Sequence, residues 1–258
     1  MAGTYWSEDV LDMMYLKPSE VYRGMTFNNN STTVQLDGGV ILSTSASTLA
    51  QTVSGSSFVN KQVRLRFYAS VVSSGRYSGT RGTAQLWYIH GGFRYVCDFN
   101  VSDTAFSANC QQFYGVVGQA TPTDLAYGGV SGTLVSTLTN IVGVGSEVGD
   151  TNLQIFHNDA TGTATKIDLG AAFPANRDAG AVMTTVYSIV LVNKPMSTSV
   201  AYRVVNNETG AIATGTISTD LPATSQALNF FASRTMSTTS VTGSGQFDLM
   251  KLGIYSQL

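Results

Sequence analysis

The sequence predicts an all-β chain folded as an antiparallel sandwich of two sheets. Three observations carry the prediction. Short segments alternate polar and apolar residues, the period of a half-buried strand. Clusters of Gly, Asn and Asp separate them at the spacing of turns. Only one stretch, at the N-terminus, has a helical pattern. The chain holds 59 Ser and Thr and only 12% charged residues, a composition for displaying neutral hydrogen-bonding surfaces. Its 43% hydrophobic content is enough to bury a core, so the polar bias is not read as disorder.

Residues 1–20 form a distinct N-terminal segment. Ser7 is placed as an N-cap, with Glu8 and Asp9 in the first turn and Val10, Leu11, Met13, Met14 and Leu16 on an apolar side. Pro18 stops the run. Such a segment either seals one end of the sandwich or anchors the chain on a partner. Residues 21–258 are read as one β-sandwich domain, since no charged or Pro-rich linker divides them.

Early strands are expected at Val34 to Leu36, Val40 to Leu42 and Phe58-Val59, around turns at Asn28 to Asn30 and Asp37 to Gly39. The cleanest alternation runs from Lys61 to Ala69. It places Val63, Leu65, Phe67 and Ala69 on the core face, and Arg64, Arg66 and Tyr68 on a face expected to meet solvent. A Ser/Gly-rich loop from Ser73 to Gly82 then leads to a strand over Ala84 to His90, a Gly91-Gly92 turn and a strand from Phe93 to Val101. The weakly patterned, Gly-rich stretch from about Val116 to Gly149 reads as a long loop. Strands follow at Leu153 to His157, Ala164 to Leu169, Val182 to Leu191, Ser199 to Val205, Ala211 to Ser218 and Phe247 to Tyr255.

Cys97 and Cys110 are equidistant from a turn centred between Asp103 and Thr104, so a hairpin there sets them opposite each other. They are read either as a disulfide or as two buried thiols. The N-terminus has acidic residues where a secretory signal needs a basic start and an apolar run, so synthesis in a cytoplasm and reduced thiols are expected.

Candidate chemistry is sparse. His90 and His157 each adjoin a turn, and no Gly-x-Ser-x-Gly elbow occurs, so a hydrolase triad has no support. Asp37, Asp103, Asp159, Asp178 and Asp220 fall in turns, where Asp is favoured for local hydrogen bonds rather than for a glycosidase pair. No catalytic, cofactor-binding or metal residue is assigned. Calcium is the only ion the loops admit: Asn158, Asp159 and Asp178 offer hard oxygens, without the spacing of a defined motif. Trp87 and Tyr88 are candidates for stacking on a sugar, although Trp87 in an alternating strand more often belongs to a core. Net charge is −2 and no basic stripe exists, which excludes nucleic acid as a partner. Apolar runs such as Thr185 to Val192 are strand-length, so membrane insertion is excluded too.

One segment carries a resemblance. Lys166-Ile167-Asp168-Leu169-Gly170, Phe173-Pro174-Ala175-Asn176, Val200 to Val205, Thr209-Gly210 and Gly215 to Pro222 together resemble a recurring C-terminal segment of tailed-bacteriophage virion proteins. The earlier half, from Phe58 through the Lys61 to Ala69 strand, is similar to the first sheet of such proteins. The resemblance implies a concanavalin/laminin-G-type jelly roll carried on a phage particle. It implies a non-enzymatic structural protein of the virion, at the tail fibre or tail tip, that helps attach to the host surface. The alternative is a capsid decoration or cement protein on the head. Implied partners are other virion proteins, further copies of the chain in a homo-oligomer, and a host-surface glycan or protein receptor. No catalytic or metal residues transfer from the resemblance, because the matched positions are strand and turn residues.

Overall fold

The computed structural model describes residues 20–24, 33–36, 40–44, 47–51, 64–68, 77–82, 87–88, 91–102, 110–118, 134–176, 185–236 and 246–257. Seventeen strands are described: β1 (Glu20–Gly24), β2 (Thr33–Leu36), β3 (Val40–Thr44), β4 (Ser47–Gln51), β5 (Arg64–Tyr68), β6 (Tyr77–Gly82), β7 (Trp87–Tyr88), β8 (Phe93–Val101), β9 (Cys110–Val117), β10 (Ile141–Ser146), β11 (Gln154–Asn158), β12 (Thr165–Asp168), β13 (Tyr187–Asn193), β14 (Val200–Asn206), β15 (Ile212–Ile217), β16 (Ala227–Met236) and β17 (Phe247–Gln257). The helix expected within residues 1–20 lies outside the described residues, as do Phe58-Val59 and His90.

The strands form two antiparallel sheets. The first has eight strands in the order β15-β14-β13-β8-β17-β5-β4, with β1 also on β17. The second has nine, in the order β12-β11-β10-β9-β16-β6-β3-β2, with β7 also on β16. Neighbours are often far apart in sequence, as in β5 with β17, which is the signature of a jelly roll rather than a run of hairpins.

The core between the sheets is built on aromatic rings. Phe99 of the first sheet stacks on Tyr114 of the second at 3.8 Å between centroids. Phe247 meets Tyr114 edge-on at 5.5 Å and stacks on Phe67 at 4.9 Å. Tyr95 faces Phe230 across the same layer. Offset and edge-on rings add roughly 0.5–1.5 kcal/mol per pair beyond the area they bury. A bulge at Met250 in β17 is what keeps this face apolar. Leu249 pairs with Phe99, and Leu252 pairs with Cys97. Three residues apart, those leucines would point to opposite faces in a regular strand, and the extra residue returns both to the core.

Several expectations are corrected. Cys97 and Cys110 do not share a hairpin: β8 pairs with β13 and β17, whereas β9 pairs with β10 and β16, so the chain crosses from one sheet to the other between them. Both are buried thiols not joined in a disulfide, as the reduced reading expected, and burial pushes that of Cys97 far above its ordinary range. The expected loop from Val116 to Gly149 contains the fully buried strand β10, and the expected loop from Ser73 to Gly82 ends in β6. Strand β16, central to the second sheet, was not expected at all. The face of β5 that bears Arg64 and Arg66 is not a solvent face, since Arg64 is 2% exposed.

Candidate functional site

Residues of the segment 157–222 converge on one flank of the sandwich, around edge strands β12 and β15, and each has a definable task. The run 173–176 crosses the opening between the sheets. Phe173 enters the core. The carbonyl of Pro174 accepts from the Tyr187 hydroxyl at 2.8 Å, and that of Ala175 accepts from Gln112 Nε2 at 2.6 Å. Asn176 Oδ1 accepts from Arg234 Nη2 at 3.1 Å. Buried polar groups from both sheets are thereby satisfied by a single strap of chain, which seals the layer.

Asp220 closes the same flank higher up. It follows β15 and reaches across to the second sheet. Its Oδ2 accepts from the Thr165 hydroxyl at 2.6 Å and the Thr165 N–H at 3.2 Å, and its Oδ1 accepts from the Asp159 N–H at 3.0 Å. Partial burial alone would raise its pKa, but the bonds from Thr165 and Asp159 outweigh that and hold the carboxyl below the usual Asp range. Its own carbonyl accepts from His157 Nδ1 at 3.0 Å, which places the ring proton on that nitrogen. His157, which adjoins a turn, is buried near the end of β11.

Below this clasp, Lys166 of β12 lies 5.1 Å over the ring of Phe156 and pairs with Glu147, with Asp150 Oδ2 at 3.5 Å. Glu147 also accepts from the Ser136 N–H at 2.6 Å. Its burial opposes the charge, but the Lys166 and Ser136 bonds prevail and lower its pKa. Asp168 caps the turn that follows, accepting from Gly170 N–H at 2.8 Å, where Gly170 takes a φ of 84°.

Two of the three expected calcium ligands lie within the described residues. Asn158 is buried and donates to the Leu138 carbonyl at 2.7 Å, while Asp159 Oδ1 accepts from the Thr161 N–H and hydroxyl. Asp178 lies outside the described residues, as do Asp37, Asp103 and the side chains of Trp87 and Tyr88. Among the described residues no three His, Cys, Asp or Glu side chains group as metal ligands. On the outer face of the second sheet, Phe113, Phe231, Val135, Leu138, Ser233 and Thr235 line a crevice of about 10 Å³, barely enough for a water molecule. A sugar ring does not fit in it. What the flank does present is hydroxyls. Thr161, Thr163, Ser218 and Thr219 are exposed on the two loops that Asp220 ties together. Spacing alone could not reveal this, because Asp220 and Asp159 are brought together only by the crossing of the chain between sheets.

No protein-family model matches the chain, and no curated protein matches it in sequence. Solved structures do resemble it in shape. A protein of unknown function from Shewanella oneidensis MR-1 superposes with a TM-score of 0.52 at 10% identity, covering 96% of this chain and 92% of that one. Arcelin-5, a lectin-like defence protein of Phaseolus vulgaris, gives 0.51 at 12% identity over 93% and 99%. The winged bean acidic lectin, solved with methyl-α-D-galactose, gives 0.50 at 11% identity over 92% and 98%. At such identities the likeness speaks for the fold, and the fold is the concanavalin-like two-sheet sandwich of these lectins.

Proposed function

We propose that this chain is a non-enzymatic recognition protein of a tailed-phage virion, carried on the tail, that meets a glycan of the host surface. The observation that carries the reading is the Asp220 clasp. It ties the loop at 159–163 to the loop at 218–221 and holds Thr161, Thr163, Ser218 and Thr219 as an exposed, neutral rim. Rigid, preorganised hydroxyls suit saccharide recognition, because little conformational entropy is lost on binding. The lectin relatives in fold, one of them complexed with a galactoside, favour the same substrate class. The motifs at 166–170, 173–176 and 215–222 support the phage assignment.

A glycan array probed with the purified chain tests the recognition claim. Binding to a defined saccharide, weakened about tenfold or more when Thr161, Thr163, Ser218 and Thr219 are replaced together by Ala, is the expected result. An array without a bound saccharide sinks it. An averaged map of the intact particle tests the location, and density for this chain confined to the head would replace the tail reading with decoration of the capsid.

A further inference from the structure

Among the described residues, the outer face of the first sheet buries a charge cluster that does not balance. Asp248 is fully buried. Arg66 grips it with the side-on edge of its guanidinium, Nε to Oδ1 at 2.7 Å and Nη2 to Oδ2 at 3.1 Å. Arg64 reaches the same carboxylate through Nη1 alone, at 3.0 Å. Asn100, with its amide nitrogen turned to the carboxylate, donates to Oδ2 at 3.2 Å and accepts from Arg64 Nη1 at 3.1 Å. Arg64 is therefore left with Nε and Nη2 buried and without a hydrogen-bond partner. Those are the same two groups with which Arg66 forms its fork. Among the described residues two guanidinium charges face one carboxylate, and Asp98, the next acid of β8 on this face, is engaged by Ser188 and Lys251. A buried charged donor pair without an acceptor is costly, and an oxyanion is the chemistry that would satisfy it.

We infer that the Nε–Nη2 edge of Arg64 is a receptor for one oxyanion, a carboxylate or a phosphate group held by two parallel hydrogen bonds. The planar fork matches that geometry, as Arg66 demonstrates on Asp248 two residues further along β5. The Arg66 side chain keeps 14% exposure, so the cluster reaches solvent on that side. The bound oxyanion comes either free from solution or on an acidic side chain of a docked protein. The site lies on the first sheet, apart from the hydroxyl rim, and stands or falls independently of glycan recognition.

Arginine Nε resonances of the intact chain, titrated at constant ionic strength against sodium chloride, test the site. Saturable movement of the Arg64 resonance with sodium phosphate or sodium acetate, with a rise in melting temperature, identifies a free-anion site. Response to oligoglutamate alone identifies a docked acidic chain. Arg64→Lys keeps the charge and removes the fork, so it should weaken binding about tenfold or more. Should that variant fail to fold, the wild-type titration decides by itself: no saturable change with phosphate, acetate or oligoglutamate overturns the inference.

Discussion

Asp220 occupies the left-handed region, with a φ of 51°, where few residues other than Gly, Asn and Asp settle. Its carboxylate compensates that backbone by accepting bonds from Asp159 and Thr165. Asp220→Ala removes the acceptor and keeps the strained backbone, so a loss of about 2 kcal/mol is expected in urea unfolding. Asp220→Asn, which tolerates the same φ, should lose less. The same group sets a pH dependence. Its folded pKa lies below the unfolded one, so its stabilisation is complete above the ordinary Asp range and disappears as pH falls through the folded value. Glu147, also depressed, acts in the same direction. The acid limb of the melting-temperature profile should therefore flatten in Asp220→Asn below about pH 4, and an unchanged limb would mean that the clasp contributes nothing.

At the scale of elements, β10 shows how a strand hides in a Gly-rich sequence. Gly143 and Gly145 read as loop residues, yet both lie in a fully buried strand because neighbours occupy the space of a side chain. A Cβ at Gly143 would sit 2.5 Å from Phe113 Cζ and 2.6 Å from the Tyr114 carbonyl. Gly143→Ala should cost about 1–3 kcal/mol by overpacking. Gly79→Ala in β6, where the Cβ would meet Ser233 Cβ at 3.2 Å, should cost clearly less. Equal losses, read as midpoints in urea with constant slope, would contradict this packing. Strand β16 escaped notice for a different reason. Phe230 and Ala232 enter the main core while Phe231 packs on the opposite face, so the adjacent phenylalanines interrupt the alternation. The edge strands β12 and β15, by contrast, are legible because one of their faces remains exposed. The clasp was only half legible. Asp220 and Asp159 read as turn residues, but their separation of 61 positions conceals their contact.

At the scale of the molecule, the chain is closed by partners at opposite ends of the sequence. The fold class was readable because alternation and turn chemistry are local, whereas the pairing of β5 with β17 is not. That pairing also reversed one local inference. Alternation correctly sent Phe67 to the core, but the opposite face of β5 was assigned to water on the strength of its arginines. Asp248, 184 residues from Arg64, supplies the counter-charge that lets that face be buried. The consequence is a sharp asymmetry between substitutions. Asp248→Asn leaves two buried guanidinium groups without a countercharge and should cost about 3–5 kcal/mol, a large share of the stability of a domain. Replacing Arg64, Arg66 and Asp248 together by Met, Met and Leu removes the charges as well as their attraction, so it should restore most of that loss. Equilibrium unfolding of the single and triple variants decides the point. A triple variant as unstable as Asp248→Asn would mean that the cluster holds β5 against β17 by attraction, rather than by mutual neutralisation of charges the sheet has already buried.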